Sequence, residues 1–170
     1  MTKVIGVSLI ILAGTLIGIL LSLRLSRRVR ELEAAIAMIE ELSLQIRYRA
    51  LPVYELANAL ESSKGLEPLR FIGKLCQHIE EERDFSVAWS NAIRSCKDQS
   101  SLKDDDIKIL ISVGNELGKS DIDGQISTLS LYRDMLSRSL ASAIDEKHSK
   151  GKMYRNLGAL IGVGIAIILI

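Results

Sequence analysis

The sequence predicts an all-α protein, a cytosolic bundle of five to six helices flanked by N- and C-terminal transmembrane helices. Among its 170 residues only two are proline, and residues that favour helices, such as Leu, Ile, Ala, Glu, Lys and Arg, are abundant. Apolar residues recur three and four positions apart, and we find no alternating stretch bounded by turn residues that would predict a strand. Two uncharged apolar runs, residues 4–23 and 156–170, enclose a charged middle region.

The first apolar run has the length and the flanks of an uncleaved membrane anchor. About 20 helical residues, at 1.5 Å each, cross a hydrocarbon core of about 30 Å. A cleavable signal peptide is the competing interpretation, but it should end in small residues, whereas this run ends in bulky leucines. Four arginines follow the run: Arg24, Arg27, Arg28 and Arg30. Because only Lys3 and the terminal amine precede it, we expect the following domain to lie in the cytoplasm.

The second apolar run predicts a transmembrane helix over residues 153–170. Its uncharged part is a little short for a span, but Tyr154 and Arg155 can extend it at the interface. Two lysines before it, Lys150 and Lys152, again mark the cytoplasmic side. The alternative is an apolar C-terminal helix that lies on the soluble domain.

Both runs contain two glycines four positions apart. They are Gly14 and Gly18 in "GTLIG", and Gly158 and Gly162 in "GALIG". Residues at this spacing share one helix face, where the missing side chains let another helix approach closely. We therefore predict helix packing at both pairs, although glycine is also common in membrane helices without such a role.

Residues 24–152 are predicted to form the cytosolic bundle. After the anchor, apolar residues recur at helical spacing, and the stripe comprises Leu25, Val29, Leu32, Ile36, Ile39 and Ile46, with Leu42 nearby. No proline occurs before Pro52, so the first membrane helix should continue unbroken into the cytoplasm. Pro52 fits the first turn of the next helix, which should stop at Gly65.

Further helix starts follow along the middle region. Pro68 is expected to open a helix, and Ser86 is a suitable N-cap for the next one. The acidic run at residues 104–106 complements the positive end of another helix, an interpretation that we prefer to a metal cluster. The last helix should begin near Asp121 and run towards the membrane, with a bend at Gly151. Its apolar stripe comprises Leu129, Tyr132, Leu136, Leu140 and Ile144.

The stretch "GNELGKS", residues 114–120, resembles a phosphate-binding loop but lacks its spacing. In a P-loop the second framing glycine comes five positions after the first, and the loop follows a strand. Here Gly118 comes only four positions after Gly114, in a helical context. Asp121 and Asp123 would also repel phosphate. We predict instead that Gly118 ends one helix and that Ser120 or Asp121 caps the next.

Other patterns give no case for catalysis or a cofactor. The net charge of +1 gives no argument for nucleic-acid binding, and "DIDG" lacks the remaining ligands of a calcium loop. His78 and His148 have no companion ligands nearby, and Cys76 and Cys96 are expected to be buried, reduced thiols. We therefore expect no enzymatic activity, no cofactor and no small-molecule substrate.

The ordered features of the chain resemble the stage III sporulation protein AB family. The resemblance extends from the N-terminal anchor through "LQIRYRALPVYELANAL", "FSVAWSNAI" and "LGKSDIDGQ" to "YRNLGALIGVGIAIILI". The segment "LGKSDIDGQ" is its most specific part, and Tyr48 and Pro52 fit the family as well. Val53 departs from the family's usual leucine, which is a conservative change.

The resemblance implies a role in endospore formation, in the mother-cell membrane around the forespore. The family is thought to join a channel or secretion-like complex, and its cytosolic domain is similar to the platform domains of type II secretion and type IV pilus machines. The implied partners are the ATPase stage III sporulation protein AA, other membrane subunits of the channel, and membrane lipid.

We hypothesise that the cytosolic partner pushes or turns the bundle and that the long helices pass this motion to other subunits. Gly118, Ser120, Asp121 and Gln125 are our candidates for a partner-facing or domain-organising turn, with a plain interhelix turn as the alternative. The rival function is a passive membrane tether for a cytoplasmic protein.

Overall fold

The chain is all-α over the part that the computed structural model describes, which is residues 2–49, 52–82 and 84–169. Side chains are described except at residues 2–11, 49, 53, 155 and 158–169. Six α-helices and one 3₁₀ helix form within these residues, with no strand, which confirms the prediction of an all-α chain. They are α1 (Thr2–Arg49), α2 (Val53–Glu61), α3 (Phe71–Glu81), α4 (Phe85–Ser95), the 3₁₀ helix Lys97–Gln99, α5 (Asp104–Glu116) and α6 (Ile122–Leu169).

The chain divides into two compact units, and both long helices contribute to each. The terminal unit comprises Met1–Arg27 and Ser142–Ile170, and the central unit comprises Arg28–Ala141. Helices α1 and α6 have 48 residues each, as expected for helices that continue from the apolar runs into the charged region. Helix α6 also runs through Gly151 as regular helix, so the bend predicted there does not interrupt it.

The predicted transmembrane helices at residues 4–23 and 153–170 are not confirmed. Among the described residues, no helix offers a stretch that is both long and apolar enough to cross a bilayer. Residues 4–11 of the first run and 158–170 of the second lie outside the residues whose side chains are described.

Helix α1 supplies a broad apolar face to the core of the central unit. Five residues of the predicted stripe are buried, namely Val29, Leu32, Ile39, Leu42 and Ile46, whereas Leu25 and Ile36 are half-buried. Ala35 and Met38 are fully buried as well. The buried face is therefore wider than a single helical stripe, as expected for a helix that is covered from more than one side.

The short helices of the central unit pack around Trp89. Helix α4 contacts α3 and α5, and α2 contacts α3. The indole of Trp89 is fully buried, with ring centroids of Phe71 and Phe85 at 5.3 and 5.7 Å. Its Nε1–H donates to the carbonyl oxygen of Leu110 at 2.8 Å, which satisfies the polar atom of this buried side chain.

The starts of α3 and α4 differ from the sequence-based expectation. The N-cap of α4 is Asp84 rather than Ser86, because the Asp84 carboxylate accepts hydrogen bonds at 2.8 Å from both the hydroxyl and the backbone N–H of Ser86. These bonds lower the pKa of Asp84. Helix α3 begins only at Phe71, since a tight turn follows Pro68 in which Arg70 N–H donates to the Pro68 carbonyl.

The start of α2 agrees with the prediction to within one residue. Pro52 occupies the N-cap position directly before Val53, where its missing N–H costs no intrahelical hydrogen bond. The helix ends at Glu61, four residues before the predicted stop at Gly65, which has a positive φ of 93°.

Candidate functional site

The turn between α5 and α6 brings together all four residues that the sequence singled out as a loop site. Gly118 has φ 78°, a left-handed conformation that a residue with a side chain adopts at a cost. The Gln125 side chain bridges the turn, because its Oε1 accepts from Gly118 N–H and its Nε2 donates to the Ser120 carbonyl, both at 2.9 Å. Asp121 Oδ1 accepts from Gly124 N–H at 3.1 Å, as expected of a helix cap.

The polar side chains of this turn form hydrogen bonds within the turn, whereas the apolar side chain of Ile122 is exposed to solvent. The amide of Gln125 and the carboxylate of Asp121 are engaged within the turn itself. Ile122, by contrast, is 43% exposed and lies between two exposed aspartates. The turn therefore offers a surface for contact rather than a set of reactive groups, and partner binding there stays a prediction.

The first glycine of "GNELGKS" has a packing role in the core. Gly114 is buried within α5, and a Cβ built on it would lie 2.2 Å from the Cγ and Cδ1 atoms of Trp89. The indole thus rests directly on the backbone of α5. The stretch thus begins inside α5, in a helical context, and only Gly118 adopts the left-handed conformation.

The glycine pair of the first apolar run lies on the covered face of α1. Gly18 is buried and Gly14 is half-buried, whereas Leu16 and Leu20 are 58% and 61% exposed. The pair in the second run, Gly158 and Gly162, lies among the residues of α6 whose surroundings are not described. A different glycine marks a close approach of the two helices within the terminal unit. A Cβ on buried Gly151 would lie 3.5 Å from the Ser22 hydroxyl oxygen.

The basic residues that flank the apolar runs have different environments. Arg24, Arg27 and Arg30 are exposed, as is Lys152, while the side chain of Arg155 lies outside the described residues. The side chain of Lys150 donates to Glu146 Oε1 at 3.0 Å, and this bond raises the pKa of Lys150.

Arg28 differs from its neighbours because it is buried in the central unit. Its Nε and Nη2 atoms donate to the two carboxylate oxygens of Asp106 at 3.0 and 3.3 Å. Asp106 is 1% exposed and also accepts from the backbone N–H of Lys103 at 2.9 Å. Of the four arginines that follow the first apolar run, Arg28 therefore has its charge neutralised by a carboxylate inside the protein.

Glu31, one turn further along α1, forms a second, partly buried link that sequence reasoning missed. Its carboxylate accepts from the Ser100 hydroxyl and, at 3.1 Å, from the backbone N–H of Ser101. Arg28 thus holds α1 to the first turn of α5, and Glu31 holds it to the segment before α5; we call these links the α1 clamp. The sequence did contain a signal for these two contacts: both positions lie beside the apolar stripe of α1 and therefore face the core.

The described residues do not assemble a metal site. The acidic run at residues 104–106 is held by cations, through the pairs Asp104–Lys97, Asp105–Lys108 and Asp106–Arg28. Within the described part of the chain, no three side chains of His, Cys, Asp and Glu come together as metal ligands. Side-chain cations therefore balance the three carboxylates at the start of α5.

The two thiols are both free, but only one is buried as expected. Cys96 is buried, whereas Cys76 is half-buried, with its Sγ 3.4 Å from a carboxylate oxygen of Glu61. Partial burial and that carboxylate raise the pKa of Cys76, which makes it a poor nucleophile.

Comparison with known proteins places the chain in one family. The family model described as stage III sporulation protein AB matches residues 3–170. Stage III sporulation protein AB of Bacillus subtilis (strain 168) is 23% identical over 170 residues, which cover 99% of both chains. No solved structure matches. Because the family model covers nearly the whole chain, this protein belongs to the stage III sporulation protein AB family.

Proposed function

We propose that this chain is a non-enzymatic platform subunit of a sporulation channel or secretion-like complex between mother cell and forespore. In this role it couples a cytosolic ATPase to membrane components. Membership of a family named for stage III of sporulation supports the cellular process. The structural support comes from the helices that join the two units.

The continuity of α1 and α6 is the observation that carries the proposal. Each is an unbroken helix of 48 residues that begins or ends in an apolar run and enters the charged central unit. A helix held by successive backbone hydrogen bonds transmits a push or a rotation along its axis better than a flexible linker does. The α1 clamp gives the central unit a firm hold on one of these helices.

The exterior of the terminal unit supports a membrane location. Leu12, Leu16, Ile17 and Leu20 are each between 58% and 61% exposed on the part of α1 that precedes the arginines. Contiguous exposed aliphatic side chains of this kind are stabilised by lipid rather than by water. The exposed arginines that follow favour the cytoplasmic side, so that the central unit faces the mother-cell cytoplasm.

The proposed cytosolic partner is the ATPase stage III sporulation protein AA. The turn with Gly118 and Gln125 is our candidate for contact with it, because its internal hydrogen bonds hold Ile122 in an exposed position. The first test asks whether the full-length protein sediments with membranes of sporulating cells and captures the ATPase. A chain that remains soluble, or that fails to bind the ATPase, contradicts the proposal.

A second test separates a force-transmitting platform from a passive tether. Seven glycines inserted after Arg24 and after Lys147 interrupt both long helices, whereas seven alanines keep them continuous and rotate them by only about 20°. If the helices transmit motion, the glycine insertions abolish sporulation while membrane retention and ATPase capture persist, and the alanine insertions are tolerated. Normal sporulation with the glycine insertions would instead favour the tether.

A further inference from the structure

A groove of about 300 Å³ opens between α1 and α6 within the central unit. The α1 wall includes Leu44, Arg47 and Tyr48, and the α6 wall includes Ile126, Ser130 and Arg133. We call it the α1–α6 groove. Leu44 is 53% exposed and Tyr48 is 75% exposed, so the apolar part of the groove is open to solvent. Tyrosine and arginine around an aliphatic residue are typical of protein contact sites.

The α6 wall of the groove continues into the turn described above. Ile122, Ile126, Ser130 and Arg133 follow one another at spacings of four, four and three, and therefore lie along one face of α6. Ile122 is 43% exposed and stands one helical turn beyond the groove. With Asp121 and Asp123 on either side, it forms a short acidic and apolar projection, which we call the Ile122 projection.

The groove and the projection carry opposite charges. Within the groove Arg133 pairs with Glu40 at 3.3 Å, which leaves Arg47 as the charge that is available to a ligand. Among the described residues neither Arg47 nor Asp123 takes part in an ion pair. An acidic ligand with an aliphatic side chain therefore suits the groove, and the projection has this composition.

We propose that the α1–α6 groove receives the Ile122 projection of a second copy of this chain. Ile122 of each copy packs against Leu44 and Tyr48 of the other, and Asp123 pairs with Arg47. Because projection and groove adjoin on one surface, a twofold axis makes both contacts twice in an isologous dimer. The acidic projection would repel anionic lipid headgroups, which disfavours a membrane surface as the occupant. This self-association goes beyond the proposed function. Because both proposals place Ile122 in a contact, the second copy and the ATPase would compete for this residue.

Charge reversal in the full-length protein tests the pairing. We expect the wild type, purified in mild detergent, to pass from monomer to dimer between about 1 and 100 µM when its mass is measured by light scattering. Arg47→Glu and Asp123→Lys should each weaken the dimer at least about tenfold. The combination of both changes restores opposite charges and should return the dissociation constant to within about threefold of the wild type.

A matched control separates the specific pair from a general effect of charge. Arg138→Glu makes the same change at an exposed position of α6 outside the groove and should leave the dimer unaffected. Circular dichroism checks that every variant keeps its helices. A wild type that stays monomeric, single variants that dimerise normally, or a double variant that is not restored would each overturn the proposal. Binding of the ATPase that weakens with Arg47→Glu, while the wild type stays monomeric, would assign the groove to that partner.

Discussion

Two helices of the central unit, α4 and α6, are held very differently. Helix α4 buries six of its eleven residues, including Trp89, among its neighbours. In residues 122–141 of α6, only Leu129 and Leu136 are buried. The polar links differ in the same way, since the Arg28–Asp106 pair of the α1 clamp is buried, whereas the ion pair between Arg133 and Glu40 has side chains that are 46% and 58% exposed.

This difference indicates that α1 and the short helices form one firm body, to which α6 is attached more weakly. Buried apolar area is the main source of stability, and buried charges are costly to separate, whereas an exposed ion pair contributes little. A weakly attached helix that reaches into the terminal unit would suit the moving part of the platform that we propose. Four substitutions test the contrast.

Asp106→Ala should have the largest effect, because it leaves the Arg28 guanidinium buried without its carboxylate. Breaking a buried pair on one side costs about 3–5 kcal/mol. We expect a loss of that size in the free energy of unfolding, measured by chemical denaturation of the full-length protein in detergent. The double variant Arg28→Met, Asp106→Leu removes both charges and should recover most of the loss.

The neighbouring residue Asp105 provides the control for this substitution. Its side chain is 86% exposed and pairs with the exposed side chain of Lys108, so Asp105→Ala should leave the unfolding transition unchanged. If the two alanine variants lose the same free energy of unfolding, the buried pair contributes no more to stability than an exposed one. The buried charges would then not explain why α1 is held firmly.

Gly114→Ala should be the next most damaging change, although alanine favours helices. Intrinsic propensity alone predicts a gain of about 1 kcal/mol. The new methyl group would, however, collide with Trp89 and displace the indole from its bond to Leu110, and such overpacking costs about 1–3 kcal/mol. Denaturation followed by the fluorescence of this single tryptophan measures the result.

Gly73→Ala gives the matched comparison in another short helix. Gly73 lies within α3, and a Cβ there would meet no atom within 4 Å. This variant should therefore be neutral or more stable, by up to about 1 kcal/mol. If Gly114→Ala and Gly73→Ala both stabilise the protein, the packing of the Trp89 indole does not require its close contact with the backbone of α5.

Gly118→Ala tests the turn that connects α6 to the firm body. A side chain in the left-handed region costs about 1–2 kcal/mol, so we expect a smaller loss of stability than at Gly114. Asparagine tolerates this conformation better, and Gly118→Asn should lose less. If the alanine variant is as stable as the wild type, the backbone at residue 118 can leave the left-handed region at no cost. The hydrogen bonds of Gln125 would then not fix the conformation of the turn.

Sequence reasoning located the parts of the molecule that depend on local chemistry. The continuity of α1 follows from helical periodicity without a proline, and the turn at Gly118 and Asp121 follows from the preferences of glycine and aspartate at helix ends. Both can be inferred from a short window because the interactions that determine them lie within a few residues.

The missed features depend on contacts between distant parts of the chain. Arg28 and Asp106 are 78 positions apart, and Arg28 belongs to a cluster of arginines beside an apolar run, where the local pattern favours an exposed membrane flank. Similarly, the role of Gly114 depends on the position of Trp89, which no local window contains. Periodicity shows that a residue faces the core, but not which partner it meets there.

Arg133→Ala should have the smallest effect and completes the comparison with the α1 clamp. The pair with Glu40 is exposed to solvent, and such pairs contribute about 0.2–1 kcal/mol. We expect a loss within this range in denaturation experiments at low salt and none at about 1 M salt, where the Debye length falls to about 3 Å. Arg138→Ala, an exposed position on the same helix, controls for the loss of charge and aliphatic contact. A loss as large as that of Asp106→Ala would mean that α6 is held as firmly as the short helices, and α6 could then not serve as the moving part.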